Sequence, residues 1–143
     1  RDCPKFKGSD LLFSEAEIIG VSAFAECVAL QNVVMNDSLT TISDGSFAGC
    51  SSLSSITLPD GLTAIEAGAF AECSRLTSIT IPDSVTYIGD GAFAYCGALT
   101  SVIIPDSVAS IGDGVFSFCR ALSSVTFPDS CLLPRHEYGD ELI

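Results

Sequence analysis

Basic residues are scarce in this sequence. Lys and Arg together number 6, against 18 Asp and Glu, and the formal net charge is −12 over 143 residues. Proteins that bind nucleic acids use Lys and Arg to replace the counterions around phosphate, and anionic lipid surfaces attract the same side chains. We therefore expect no nucleic-acid partner and no docking on anionic lipid. We interpret the acidity as a means of keeping the protein in solution.

The sequence also lacks a long apolar run, an initiator methionine and a histidine placed for catalysis. No apolar run approaches the ~20 residues of a membrane-spanning helix, so we predict no membrane insertion. The sequence begins at Arg1 without a signal peptide, which predicts a mature chain or an excised fragment. The only histidine, His136, lies in a polar segment with no fixed nucleophile nearby, so we predict no enzyme activity and no cofactor.

A repeat with a period of 23 residues dominates what is present. Residues 76–85 read Leu-Thr-Ser-Ile-Thr-Ile-Pro-Asp-Ser-Val, and close copies occupy 53–62, 99–108 and 122–131, after a more divergent copy at 30–39. A fixed period of this size predicts stacked repeats. We divide the chain into five repeats (19–41, 42–64, 65–87, 88–110 and 111–133), an N-terminal cap or degenerate repeat (1–18) and a C-terminal cap or tail (134–143).

The second half of each repeat predicts a short strand. Within residues 77–81, Ile79 and Ile81 alternate with Ser78 and Thr80, which is typical of a half-buried strand. The strand is expected to end at Pro82, which has no N–H for a sheet hydrogen bond. A strand this short is stable only when successive copies pair in parallel along the stack. In the N-terminal segment, residues 11–13 are predicted to supply one degenerate strand.

The first half of each repeat predicts a tight turn. In residues 91–96 the apolar side chains are three and four residues apart, which favours a single helical turn over a long helix. The fold class is therefore an α/β-type solenoid, mostly β, with short helical or 3-10 turns opposite the sheet. Residues at the same position of successive repeats form what we call a column. The column that contains Gly91 is predicted to adopt a left-handed backbone conformation. The column that contains Gly89 is not, since Ser43 and Glu66 also occupy it.

Apolar columns along the repeats predict the core. Three such columns hold Ile, Phe and Leu: Ile19, Ile42, Ile65, Ile88 and Ile111; Phe24, Phe47, Phe70, Phe93 and Phe116; Leu30, Leu53, Leu76, Leu99 and Leu122. A fourth holds Cys27, Cys50, Cys73, Cys96 and Cys119. Neighbouring cysteines could come within disulfide distance, but the position faces inward, so we favour buried free thiols. Cys131, in a valine column, is expected to be buried in the same way, and Cys3 cannot be assigned.

The repeat resembles the leucine-rich repeats of the BspA-like, or Treponema-type, family. The resemblance rests on Ala-Phe-x-x-Cys-x-x-Leu-x-x-Ile-x-Ile-Pro at 69–82, with close copies at 92–105 and, with Val115 for Ala, at 115–128. It implies a curved solenoid with a parallel sheet on the concave face, the turns on the convex side, and a secreted or surface-bound protein that adheres to other proteins. It implies no catalytic residues. The chain departs from the pattern at Asn36, which replaces the proline, and at Cys131.

The outward side chains of the predicted sheet are the candidate binding residues. They are Ser55, Thr57, Ser78, Thr80, Ser101, Ile103, Ser124 and Thr126, preceded by Asn32 and Val34. Extended sheets of solenoids commonly bind partners. Serine and threonine also pair well across strands, so a purely structural role remains an alternative. A regular hydroxyl lattice that binds ice or a crystal is a further alternative, which Ile103 interrupts.

Aspartates recur after the strands at 37, 60, 83, 106 and 129, and in a shorter column at 44, 90 and 113. Stacked carboxylates could bind Ca²⁺, but Pro-Asp-Ser is common in turns, where Asp bonds the backbone, so we predict no metal site and expect Asp83 to hold its turn. Asn36-Asp-Ser38 matches a glycosylation sequon. Our prediction is a non-catalytic module that binds an unidentified protein through its concave sheet at the cell surface or after secretion; an inert spacer is the alternative.

Overall fold

The computed structural model describes residues 8–127, and their repeats stack in parallel with a constant register. Ile42 pairs with Ile65, Ile65 with Ile88, and Ile88 with Ile111, so each residue meets the residue one 23-residue period later. The predicted parallel solenoid, mostly β, is therefore confirmed. Predictions for Cys3, Cys131, His136, Asp129 and the segment 134–143 lie outside the described residues.

One continuous sheet runs along the solenoid at the junctions between repeats. Its strands are two residues long and follow in the order β2 (Ile18–Ile19), β4 (Thr41–Ile42), β5 (Ala64–Ile65), β6 (Tyr87–Ile88) and β8 (Ser110–Ile111). The second residue of each strand is the buried isoleucine of the repeat pattern. This sheet was not predicted from the sequence, because strands of two residues are too short to show an alternating pattern.

The predicted sheet is shorter than expected and is interrupted. Strand β1 (Asp10–Leu12) pairs with β3 (Asn32–Val34), and β7 (Ser101–Ile103) pairs with β9 (Ser124–Thr126). Between them, residues 55–57 form no strand, and residue 78 makes only an isolated bridge to residue 101. The strand predicted over 77–81 is therefore wrong in length. Strand β1 confirms the degenerate strand predicted at 11–13, displaced by one residue.

Hydrogen-bond distances account for the interruption. The amide of Ser123 donates to the carbonyl oxygen of Thr100 at 2.9 Å, whereas the same bond one repeat earlier, from Thr100 to Thr77, is 3.3 Å long. The bond from Thr77 to Ser54 lengthens further, to 3.4 Å. In the central repeats these N···O distances exceed the ~2.9 Å typical of a backbone hydrogen bond. The neighbouring segments there therefore lie further apart than regularly paired strands.

The turns opposite these strands are not helical, and the helical or 3-10 turns predicted for this side are wrong. Cys96 N–H donates to Phe93 within its own repeat, at 3.3 Å, as a 3-10 turn requires. Phe93 N–H, however, donates to the carbonyl oxygen of Val115 in the next repeat, at 3.0 Å. Alternate amides thus point along the stack, so within residues 8–127 a run of separate turns replaces the continuous hydrogen bonding of a helix.

Two left-handed residues in each repeat permit this alternation. The predicted column has φ between 55° and 63°, at Ser22, Gly45, Gly68, Gly91 and Gly114. The column of Gly89 has no positive φ, as expected. A second left-handed column precedes the cysteines and was missed, because glycine occupies it only once: Glu26, Gly49, Glu72, Tyr95 and Phe118.

The predicted apolar columns form the core. The rings of Phe47, Phe70 and Phe93 are fully buried and stack at 5.5 Å between centroids with nearly parallel planes. Phe24 is only partly buried, and Phe13 packs against it edge-on at 5.5 Å, which covers the start of the column. The isoleucine and leucine columns are at most 5% exposed. No helix among residues 8–127 is long and apolar enough to cross a membrane.

Candidate functional site

All predicted binding residues lie on one outward surface, which we call the strand face. It consists of the exposed side chains of the interrupted sheet and of the segments between its parts: Asn32, Val34, Ser55, Thr57, Ser78, Thr80, Ser101, Ile103, Ser124 and Thr126. Their inward neighbours Ile56, Ile79 and Val102 are buried. The alternation read from the sequence therefore assigned the two faces of these segments correctly.

The hydroxyl groups of the strand face make no internal hydrogen bonds among residues 8–127. Elsewhere in the same repeats, comparable hydroxyls are used to join the stack. Thr63 Oγ1 donates to the carbonyl oxygen of Thr40 at 3.0 Å, and Ser107 Oγ donates to that of Val85 at 2.7 Å. Side-chain pairing across the strands, the structural alternative for the strand face, therefore does not occupy these hydroxyls in the described part of the chain.

Two grooves cut into the strand face where the sheet is interrupted. The first, of about 360 Å³, lies between residues 33–37 and 57–60. The second, of about 400 Å³, lies between residues 78–83 and 101–105. The second brings together four predicted binding residues in one place: Ser78, Thr80, Ser101 and Ile103. Ser124 and Thr126 do not line either groove.

Carboxylates stand at the edge of both grooves. Asp37 and Asp60 line the first groove, and Asp83 lines the second. All three are exposed, and within residues 8–127 their side chains accept no hydrogen bond and form no ion pair. The expectation that Asp83 holds its turn is wrong. The hydroxyl of Ser84 holds it instead, by donating to the carbonyl oxygen of Leu62 in the preceding repeat.

The shorter aspartate column lies near Tyr87, on the side of the continuous sheet. Asp90 Oδ1 accepts a hydrogen bond from the backbone N–H of Asp113 at 2.9 Å, so this carboxylate does hold a turn of the next repeat. Burial raises the pKa of Tyr87, and the nearby carboxylates of Glu66, Asp90 and Asp44 raise it further. Among residues 8–127, no three His, Cys, Asp or Glu side chains are grouped so that they could hold a metal ion.

The cysteine column is mostly a row of buried thiols. Cys50, Cys73, Cys96 and Cys119 are free, fully buried and hydrogen-bonded through Sγ to the phenylalanine carbonyl of the preceding repeat, for example Cys96 to Phe70 at 3.2 Å. Burial raises the pKa of Cys50 to about 11 and that of Cys96 to about 12. Thiols that stay protonated at neutral pH are poor nucleophiles, so these residues are structural.

Cys27, in contrast, is disulfide-bonded, and none of the four free cysteines is its partner. The prediction of a free thiol is therefore wrong at this position. The next cysteine of the column, Cys50, is a free thiol that donates to the carbonyl oxygen of Phe24.

Asn36, which replaces the strand-ending proline in the first repeat, has a defined structural role. Its Nδ2 donates to the carbonyl oxygen of Ala16 at 2.7 Å, and its Oδ1 accepts from the Ala16 amide at 3.1 Å. The side chain is half-buried. Because Nδ2 is the atom to which a glycan would be attached, this pair of bonds competes with use of the predicted sequon.

An exposed aromatic pair was not predicted. Tyr95 and Phe118 stack at 4.8 Å between ring centroids, and about half of each side chain is exposed. Both occupy the second left-handed column, where φ is 64° and 61°. The only sequence signal for this column is Gly49 at the equivalent position.

These features define a parallel β solenoid of short repeats with one polar outward face. The sequence profile described as "BspA type Leucine rich repeat region" matches residues 17–133 and counts 6 copies. The chain belongs to this BspA-type leucine-rich repeat family. No curated protein matches the sequence.

Solved structures with the same fold come from several bacteria. The T. pallidum leucine-rich repeat protein TpLRR is 30% identical with a TM-score of 0.80, and the match covers 87% of this chain and 72% of that protein. A leucine-rich repeat protein from Eubacterium ventriosum is 22% identical with a TM-score of 0.74, over 87% of this chain and 34% of its own. The pneumococcal vaccine antigen PcpA is 24% identical with a TM-score of 0.68, over 86% of this chain and 29% of its own.

Proposed function

We propose that the chain is a non-catalytic module that binds another protein through its strand face. The observation that supports this function is the contrast between two sets of hydroxyls. Those that join neighbouring repeats, such as Thr63 and Ser107, are hydrogen-bonded to carbonyl oxygens. Those of the strand face, such as Ser78 and Thr80, are exposed and have no internal partner among residues 8–127. Polar groups without a structural use are available to a partner.

The proposal includes a secreted or cell-surface location. The disulfide at Cys27 supports it, because disulfides persist in oxidising compartments and are rare in the cytosol. Membership in the BspA-type family agrees with it. Fractionation of the source cells, with detection of the chain in the medium or at the surface, tests this part of the proposal.

Neither alternative function has an observation in its favour. An inert spacer requires the strand face to serve stacking alone, yet its hydroxyls do not join repeats. An ice- or crystal-binding lattice requires regular spacing of hydroxyls, but the strand pairing is interrupted and Val34 and Ile103 stand where other repeats have threonine.

Site-specific photocrosslinking tests the proposed function. A photoreactive amino acid is placed at Thr80 on the strand face, and at Val21, which is 70% exposed in a turn away from it. Each variant is irradiated with extracts of neighbouring cells. We expect a discrete protein adduct from position 80 only, and its loss when Ser101→Arg adds bulk and charge to the second groove. Equal adducts from both positions, or no adduct from position 80, would contradict binding through the strand face.

A further inference from the structure

The two grooves occupy equivalent positions in the repeat, separated by two repeats. Val34 borders the first groove and Ile103 the second, at the same position of the repeat pattern. Thr57 and Thr80 border the opposite side of each groove. Each groove therefore has the same composition at its edges, with one aliphatic and one threonine side chain.

The aliphatic side chains are strongly exposed. Val34 is 57% exposed and Ile103 is 69% exposed, on a surface of otherwise small, polar residues. The inner lining of the second groove adds the apolar residues Ile81 and Pro105. Burial of such side chains against apolar groups of a partner is favourable, because it removes apolar surface from water. Each groove thus accepts an aliphatic side chain.

The polar edge of the grooves is negatively charged and has no counterion among residues 8–127. Asp37, Asp60 and Asp83 make no hydrogen bond or ion pair within residues 8–127. The only basic side chains in that range are Arg75 and Arg120, and neither lines a groove. Lys or Arg of a partner complements such carboxylates, whereas an acidic partner is repelled.

The distance between the grooves restricts the conformation of the occupant. Paired strands in a sheet are ~4.8 Å apart, and the unpaired segments at the grooves lie further apart, so grooves two repeats apart are at least about 10 Å from each other along the stack. A polyproline II segment presents every third residue on one side, at a spacing of about 9 Å. An extended β-strand presents every second residue, at about 7 Å, which fits less well.

We infer that the strand face binds an extended segment of its partner in which aliphatic residues three apart occupy the two grooves and Lys or Arg lies against Asp37, Asp60 and Asp83. The inference rests on the proposed function and specifies the chemistry of the partner.

Labelled synthetic peptides test it. The probe is Gly-Lys-Pro-Leu-Lys-Pro-Leu-Lys-Gly carrying fluorescein, and binding to the full chain is measured by fluorescence anisotropy at low and high salt. One matched peptide replaces Lys by Glu, a second replaces Leu by Ser, and a third places the two Leu residues two apart. We expect the probe to bind about tenfold more tightly than each of these, and to weaken as salt screens the carboxylates.

Variants with matched controls locate the binding. We expect Ile103→Ser to weaken probe binding about tenfold, since it removes most of the aliphatic contact, and Val21→Ser to leave it unchanged. Asp83→Asn should weaken binding about threefold, a typical size for an exposed ion pair, whereas Asp44→Asn, remote from the grooves, should not. All four positions are exposed, so folding is preserved.

Three results would overturn the inference: no binding of the probe, equal binding of the Glu peptide, or binding that Ile103→Ser and Asp83→Asn leave unchanged. The photocrosslinking experiment shows whether such a result rejects only the partner chemistry or also the proposed binding function. An adduct at position 80 together with no probe binding would retain the binding function and reject the partner chemistry. Absence of both would reject both.

Discussion

The hydroxyl of Ser107 donates a hydrogen bond to the carbonyl oxygen of Val85, 2.7 Å away in the preceding repeat. Ser101, six residues earlier, is exposed on the strand face and makes no such bond among residues 8–127. Two serines of one repeat thus have different roles, one in joining the stack and one available to a partner.

Substitution of each serine should separate these roles. Ser107→Ala removes the donor and leaves a part-buried carbonyl unpaired, so we expect the free energy of unfolding to fall by about 1 to 2 kcal/mol. Ser101→Ala should change it by less than about 0.5 kcal/mol, as exposed substitutions usually do. Urea denaturation followed by circular dichroism measures both. Equal losses in the two variants would mean that the strand-face hydroxyl also stabilises the fold.

The phenylalanine column should be the largest single contribution to stability. The ring of Phe93 is fully buried between Phe70 and Phe116, at 5.5 and 5.9 Å. Phe93→Ala should lower the free energy of unfolding by about 3 to 5 kcal/mol, because it leaves a cavity. Phe118→Ala is the control: its ring is 54% exposed and loses only the stacking contact, expected at about 1 kcal/mol. A denaturation midpoint for Phe93→Ala close to wild type would contradict the packing.

Burial could be predicted because it repeats. Ile88, Phe93 and Leu99 each recur at a fixed period, and only a shared interior position accounts for an apolar residue at every recurrence. Within 77–81, the alternation of apolar and polar residues distinguished the inward side chain of Ile79 from the outward side chain of Thr80. The candidate surface was therefore predictable to the level of individual residues.

What could not be predicted depends on neighbouring repeats. In 91–96, apolar residues three and four positions apart fit both a helical turn and a series of separate turns. The hydrogen bond from the Phe93 amide to the Val115 carbonyl, in the next repeat, selects the separate turns. Likewise, Asp83 and Ser84 are both common turn residues, and the position of the Leu62 carbonyl determines which one holds the turn. The grooves arise from unequal strand separation, for which the nearly identical repeats contain no signal.

Asn36 should anchor the N-terminal part of the stack. Asn36→Ala removes both hydrogen bonds to Ala16, and we expect a loss of about 1 to 2 kcal/mol in the free energy of unfolding. Hydrogen exchange at the Ala16 amide should accelerate. Asn32→Ala is the control, because its side chain makes one exposed bond to Asp10, at 2.8 Å. If Ala16 exchanges at the wild-type rate in Asn36→Ala, the anchoring role is wrong.

The left-handed glycines can be tested without steric interference. A Cβ at Gly68 would meet no atom within 4 Å, but φ there is 63°. Gly68→Ala should therefore cost about 1 to 2 kcal/mol from backbone strain alone. Gly97 has equally open space and no positive φ, so Gly97→Ala should be neutral or slightly stabilising. Thermal unfolding of both variants measures the difference, and equal melting temperatures would exclude strain at Gly68.

The buried thiols should make the fold sensitive to alkaline pH. Burial raises the pKa of Cys50 to about 11 and that of Cys96 to about 12, from 9.0 for an unperturbed thiol, so the unfolded chain releases these protons at lower pH than the folded chain. Stability from each thiol is therefore complete below pH 9 and is lost above it, up to pH 11 for Cys50 and pH 12 for Cys96. The expected slope is about 1.4 kcal/mol per pH unit for each group.

Urea denaturation at a series of pH values in degassed buffer measures this slope. Cys96→Val removes one titrating thiol, so its stability should fall less steeply with pH above 9 than that of the wild type, by about 1.4 kcal/mol per pH unit, whatever its stability at pH 7. Ser101→Ala, on the exposed strand face, should keep the wild-type slope. An unchanged slope in Cys96→Val would show that this thiol is not responsible for the alkaline loss of stability.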